Sequence, residues 1–216
     1  MTYDQSPAAL LDRLAIRELV DNWMMWRDAR IWEPIPALFH DGGKLMTTWG
    51  GHATQEEFAV AAQAGFERGD RMLHSNGGTT VEVAGDRGVS QTKLRIMQRG
   101  VLEGVLCDVV CIGRDYDFVE KREGRWGFIL RQPIYERDFV TPVDPSQTVR
   151  LDPERLAHYP EGYARLAYLQ ESLGYSIIPT MPVHTGTDLE ALYAQGAAWL
   201  RGEPLVWPPA SWTGAS

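Results

Sequence analysis

The chain has 216 residues, 44% hydrophobic and 23% charged, which suits one folded domain or one domain plus an extension and excludes a disordered chain. The 21 Lys and Arg against 29 Asp and Glu leave a net charge of −8, which repels phosphate backbones and argues against nucleic acid as a partner. Two cysteines exclude a disulfide scaffold and suit a reducing compartment. With no basic-then-apolar leader and no apolar run near the ~20 residues a bilayer needs, a cytoplasmic protein is expected.

Residues 6–30 are predicted to form a helix. Ile16, Leu19, Val20, Trp23 and Met24 fall at i, i+3, i+4, i+7 and i+8, on one face. Ser6 followed by Pro7 supplies an N-cap and a first helical position. Residues 32–39 read as a short second helix, 40–43 as a turn, 44–49 as a strand, and Gly50-Gly51 as another turn. Thr54, with Glu57 three residues on, is a capping-box pattern opening a third helix to about Phe66. Residues 72–83, 89–99, 104–120 and 125–137 then read as four strands joined by hairpin turns at 85–88 and 123–124. Helices first and strands after define an α+β arrangement, helices on one side of a curved sheet, and not a doubly wound fold. From 143 onward the chain changes character. Helical stretches at 152–173, broken near Pro160-Glu161-Gly162, and at 187–201 are separated by Pro-containing segments.

No phosphate-cradling loop, GxSxG elbow or HExxH motif occurs, so neither a nucleotide cofactor nor a metal is expected. The five histidines, His40, His52, His74, His158 and His184, show no metal-ligand spacing. Cys107 and Cys111 lie four apart on one strand face, too far apart for a disulfide. His74 starts the strand run in Met72-Leu73-His74-Ser75-Asn76, and alternation places Met72, His74 and Asn76 on one face. Asp28 flanks the apolar stripe late in the first helix. Arg131 sits in the apolar last strand, where Phe128 and Leu130 alternate with Ile129 and Arg131. Each of the three also has an ordinary structural reading as a core, edge or surface group.

Together these positions resemble the SnoaL-like branch of the NTF2-like superfamily, with scytalone dehydratase and the hexachlorocyclohexane dehydrochlorinases as the nearest patterns. The resemblance is carried by Leu14-Ala15-Ile16-Arg17-Glu18-Leu19-Val20, Asp28, Leu38-Phe39-His40-Asp41-Gly42-Gly43, His74-Ser75-Asn76 and Glu120-Lys121-Arg122-Glu123-Gly124-Arg125-Trp126-Gly127-Phe128. It covers about residues 8–142. It implies a cone: N-terminal helices packed on a strongly curved antiparallel sheet around a pocket, over residues 1–142. Residues 143–216 are then a C-terminal helical extension packing on the cone or on a neighbouring subunit. It implies that Asp28 and His74 form a dyad and that Arg131, five residues after Trp126, reaches the pocket. The dehydrochlorinase Lys is replaced here by Trp23, and the dehydratase tyrosines are absent from the Trp23-Met24-Met25-Trp26 region.

On that resemblance the expected activity is a cofactor-independent lyase. Asp28 orients the imidazole, His74 takes a proton from carbon, and Arg131 steadies the departing anion. The group lost is water, halide or formaldehyde. The substrate expected is small, apolar and in one form aromatic, held by Trp23, Met24, Trp49, Asn76 and Cys111. Alternatives held open are a ketosteroid-isomerase-like proton transfer, an epoxide-hydrolase-like site with Arg131 and Asp108, and a non-catalytic binding module. No nucleic-acid or membrane partner is expected; a homo-oligomer, dimer or trimer, is. Trp199, Trp207 and Trp212 are expected to anchor the extension as a lid or interface.

Overall fold

The computed structural model describes residues 4–208; Trp212 lies outside them. Helix α1 (Pro7–Ala29) begins where the Ser6 hydroxyl accepts the Ala9 N–H and Pro7 occupies N1, and it ends on Arg30 in the left-handed conformation. Its buried face includes Ile16, Val20, Trp23 and Met24, the predicted stripe. The short second helix shrinks to a 3-10 turn, Ile35–Leu38, because Pro34 and Pro36 remove the amide donors a longer helix needs. Helix α2 (Gln55–Arg68) carries the full Thr54–Glu57 capping box and stops on Gly69 with positive φ.

Six strands make one sheet: β1 (Phe39–Thr47), β2 (Gly51–Thr54), β3 (Arg71–Ala84), β4 (Arg87–Leu102), β5 (Val105–Arg122) and β6 (Arg125–Pro142). Their order is β2-β1-β6-β5-β4-β3. The last four form the expected antiparallel meander, but the sheet is mixed because β1 lies parallel to β6. The His40–Gly43 run, expected as a turn, lies inside β1. Gly43 lets β1 approach β6: a Cβ there would sit 2.7 Å from the Phe128 carbonyl oxygen. Gly51, expected in a turn, begins β2.

Two register shifts break the alternation of β6. Opposite β5, Ile129 is the extra residue between the Phe118–Leu130 and Val119–Phe128 pairs. Glu136 is the extra residue between the Ile112–Arg137 and Gly113–Tyr135 pairs. Each bulge moves the following side chains to the other face. The second turns Asp138 inward, where its Oδ2 accepts the Arg165 and Leu166 backbone N–H groups and caps helix α4 (Ala164–Ser172).

The extension straddles the sheet. α4 and its flanks place Tyr163, Leu166, Tyr168, Leu169 and Met181 in the same core as Trp23, Leu45, Phe58 and Phe128. Helix α5 (Thr187–Leu200) packs on the opposite face, where Leu189, Leu192 and Trp199 cover Tyr116, Phe118, Leu130 and Ile134. The break before α4 falls at Pro160–Gly162, after a one-turn helix α3 (Pro153–Leu156). Trp199 donates its indole N–H to Gly88 and Val119 carbonyls, and Trp207 donates to Gln132 Oε1 at 2.7 Å. No helix among the described residues is long and apolar enough to cross a membrane.

Candidate active site

The end of α1 and the start of β3 bring Asp28 and His74 together. His74 Nδ1 lies 2.9 Å from Asp28 Oδ1, and the His74 backbone N–H donates to Asp28 Oδ2. A carboxylate only accepts, so Nδ1 carries the ring proton and Nε2 is the basic nitrogen. Arg27, one residue earlier, turns back to donate from Nη1 to the same Asp28 Oδ1 at 2.8 Å and from Nη2 to Met72 Sδ at 3.3 Å.

Burial pushes the Asp28 carboxyl up, but hydrogen bonds and charge from His74 and Arg27 outweigh it and hold it below the usual carboxylate value. Burial and the Arg27 charge push His74 below its ordinary value, against the upward pull of Asp28. His74 is therefore neutral at pH 7 and able to accept a proton. With the imidazole neutral, its Nδ1–H and the Arg27 guanidinium still hold Asp28 as the anion.

His74 lines a small cavity of about 60 Å³, together with Trp23, Trp49, Phe58, Met72, Asp115, Tyr135 and Gln170. Its walls are aromatic and aliphatic on the α1–α2 side. Trp49 stacks on Phe58 at 5.8 Å between centroids, and the Trp23 ring meets His74 edge-on at 6.5 Å. Besides His74, its polar lining is Arg27, Thr47, Thr48, Asp115 and Tyr135, with Gln170 from the extension. Thr48 donates to Gln170 Oε1 at 2.6 Å, and Gln170 donates to Gln98 Oε1 at 3.1 Å. A larger open groove of about 480 Å³ touches Asp28 and Met72 but not His74. The imidazole borders the smaller cavity.

Arg131 does not line the cavity. It is held between the Trp23 ring (4.3 Å) and the Phe128 ring (4.5 Å). Its Nη2 donates to Asp115 Oδ2 at 3.0 Å, and its Nε is 3.0 Å from Asp117 Oδ1. Asp117 also accepts the Ser90 hydroxyl at 3.1 Å. Burial pushes Asp117 up to about 7, against the downward pull of Arg131. The carboxyl side chain that β5 presents to the cavity is thus Asp115, with Arg131 of β6 behind it.

Of the five expected substrate contacts, Trp23 and Trp49 line the cavity. Met24 is buried in the core beside it. Asn76 lies further along β3 and donates to Asp21 at 3.1 Å. Cys111 is covered by the extension, its thiol 3.4 Å from the Gly162 carbonyl oxygen. Asp108 points to the other face, where both its oxygens pair with Arg99 at 2.7 Å. Asp115, Thr48, Tyr135, Gln170 and Arg27 were not singled out from the sequence. The signal for Asp115 was present: Asp115-Tyr116-Asp117 alternates charged with aromatic residues in a buried strand. Gln170 carried no signal, because only the fold brings α4 to the cavity. Among the described residues no group of His, Cys, Asp and Glu is arranged to hold a metal.

Helices packed on a six-stranded curved sheet around an Asp–His cavity define an NTF2-like α+β cone. The SnoaL-like domain family matches residues 8–132, and the chain belongs to it. It is 37% identical over 206 residues to a PEP2-like protein of Fusarium vanettenii, covering 91% of this chain and 88% of the relative. It is also 37% identical over 205 residues to pea pathogenicity protein 2 of the same organism, covering 90% and 88%. These matches run well into the extension. Among solved structures, a hexachlorocyclohexane dehydrochlorinase of Novosphingobium barchaimii superposes with a TM-score of 0.51 at 16% identity, covering 67% of this chain and 97% of that one. A protein of unknown function from Mycobacterium tuberculosis superposes with a TM-score of 0.52 at 18% identity, covering 81% and 98%. These two share the fold.

Proposed function

We propose that the protein is a cofactor-independent lyase that acts by general-base elimination on a small, mainly apolar ring substrate. The observation that carries this reading is the tethered, neutral His74, whose Nε2 serves an aromatic-walled cavity. In the proposed reaction Nε2 takes a proton from an acidified carbon, and the electron pair expels water, halide or, in a retro-aldol variant, formaldehyde. Positioned acid–base catalysis contributes roughly 10²–10⁴-fold, so orientation within the cavity supplies most of the rate. Arg131 is one side chain removed from the substrate, so it acts on the reaction through Asp115. The cavity lies below the roughly 300–1,000 Å³ of ordinary ligand sites, so binding a ring requires it to widen.

A screen of aromatic and alicyclic alcohols and halides, read by halide, aldehyde or unsaturated product, tests this. His74→Ala and Asp28→Ala should each abolish turnover with the fold retained. Solvent-deuterium exchange into substrate without loss of a group would replace the lyase reading with an isomerase.

A second reading, epoxide hydrolysis, has one observation in its favour: Asp115, Arg131 and Asp117 form an acid–base–acid set inside the sheet. Epoxide opening that survives His74→Ala and is lost in Asp115→Asn would select it.

A further inference from the structure

Two neighbours on one face of α1 bring unmet donors to the His74 cavity. Trp23 and Arg27 stand four residues apart on the helix, so their side chains lie side by side. Both are buried, and both line the cavity. The Trp23 indole Nε1–H and the Arg27 Nε–H are buried without a hydrogen-bond partner among the described residues. No other residue lining the cavity has a buried side-chain nitrogen or oxygen left this way. Buried polar groups without partners are uncommon in folded proteins, and these two groups can only donate.

The cavity as it stands does not complete them. Arg27 commits Nη1 to Asp28 and Nη2 to Met72 Sδ, which fixes the guanidinium and leaves Nε over. Thr48 is bonded to Gln170, and Asp115 is paired with Arg131. A cavity of about 60 Å³ has room for a small anion without widening. Proton removal from carbon by His74 produces two charges. The proton makes the imidazole cationic, and Asp28 is in place to hold it. The C–H electron pair becomes a double bond and drives one further pair onto a departing group or onto an enolate oxygen. That anion has no partner in Arg131, which stands behind Asp115.

We infer that Trp23 and Arg27 form the anion-binding pair of this site, their N–H groups receiving the negative charge that develops as His74 takes the proton. Arg27 is then a catalytic residue as well as the support of Asp28. The substrate carries an acceptor, halide or oxygen, at the atom that gains charge. This rests on the proposed reading in taking proton removal by His74 as the reaction.

Small anions test it without turnover. Bromide and acetate are titrated separately into the full chain at pH 8, where His74 is neutral and offers no charge of its own. The ¹H–¹⁵N signals of the Trp23 indole and the Arg27 Nε–H should move together and saturate with one dissociation constant. Tighter bromide marks a departing halide, and tighter acetate an enolate oxygen. Trp23→Phe keeps an aromatic ring without the donor, and Arg27→Met keeps an apolar stem. Each should weaken anion binding by at least about tenfold, the effect of losing one hydrogen bond to a charged group, read at the signal that survives. Failure of either native signal to move saturably, or undiminished binding in either variant, would overturn the inference. The native titration needs no variant to fold. Saturable anion binding by a chain that eliminates nothing across the substrate screen would sink the lyase reading alone. Elimination by a chain whose Trp23 and Arg27 signals ignore both anions would sink this inference alone.

Discussion

Asp28 grips His74 at two points, taking the ring Nδ1–H on one carboxylate oxygen and the backbone N–H on the other. Two bonds to one residue fix the tilt of the imidazole as well as its tautomer. The carboxylate itself is steadied by Arg27. A buried imidazole beside a guanidinium resists protonation, which keeps it a base.

The pH dependence of His74 follows from that arrangement. Its protonation midpoint, followed by NMR of the imidazole, should fall below the ordinary value of about 6.5. The base form then persists as pH drops through 6.5, and the acid limb of kcat/KM lies lower still. Arg27→Gln removes the charge that depresses the imidazole and should move the midpoint up. Asp28→Asn removes the opposing pull, should move it down, and should cost roughly 10²–10⁴-fold in rate.

Asp117 predicts a stability effect of the opposite sign to that of an ordinary paired carboxylate. Its folded pKa is raised to about 7 by burial, so between the normal carboxylate range and 7 the folded chain holds more protons than the unfolded one. Stability from this group therefore falls as pH rises through that window. Asp117→Asn cannot ionise, and denaturant unfolding at several pH values should show a flatter profile between pH 4 and 7. An unchanged slope would contradict the assignment.

Gln170 ties the extension to the cavity. Gln170→Ala strands the Thr48 hydroxyl and the Gln98 amide inside the core, at a cost of about 1–3 kcal/mol for each unpaired group. Urea midpoints should fall accordingly. Leu169→Ala, at a fully buried core position, should cost about 2–5 kcal/mol.

We propose that the expected self-association uses the outer sheet face. Leu73, Met97, Val110 and Phe139 are paired across four neighbouring strands in one continuous row, and Leu73 and Phe139 are exposed. Exposed apolar patches favour association between molecules. Phe139→Asp should convert an oligomer to monomers in sedimentation velocity. A native chain that sediments as a monomer would end this expectation.

Much of the frame was legible from the chain alone. Helical periodicity located the buried face of α1, the Thr54–Glu57 pair located the start of α2, and the turn sequences separated the four long strands. These are local signals with short-range physical causes. Asp28 and His74 could be marked as candidates because their residue types and places matched a pattern. Only folding brings side chains 46 positions apart into contact.

Arg131 shows the limit most clearly. The family resemblance implied a group that reaches the ligand, and simple alternation put it on the face opposite Phe128. The bulge at Ile129 sends both inward, so Arg131 lies against Phe128 and behind Asp115. A bulge is a property of how two strands pair, and neither strand carries it alone. The sequence by itself determined the elements, the apolar core and the types of residue available for chemistry. Tertiary structure decided which of them share a cavity, because burial, strand register and the reach of the C-terminal extension depend on contacts between distant parts of the chain.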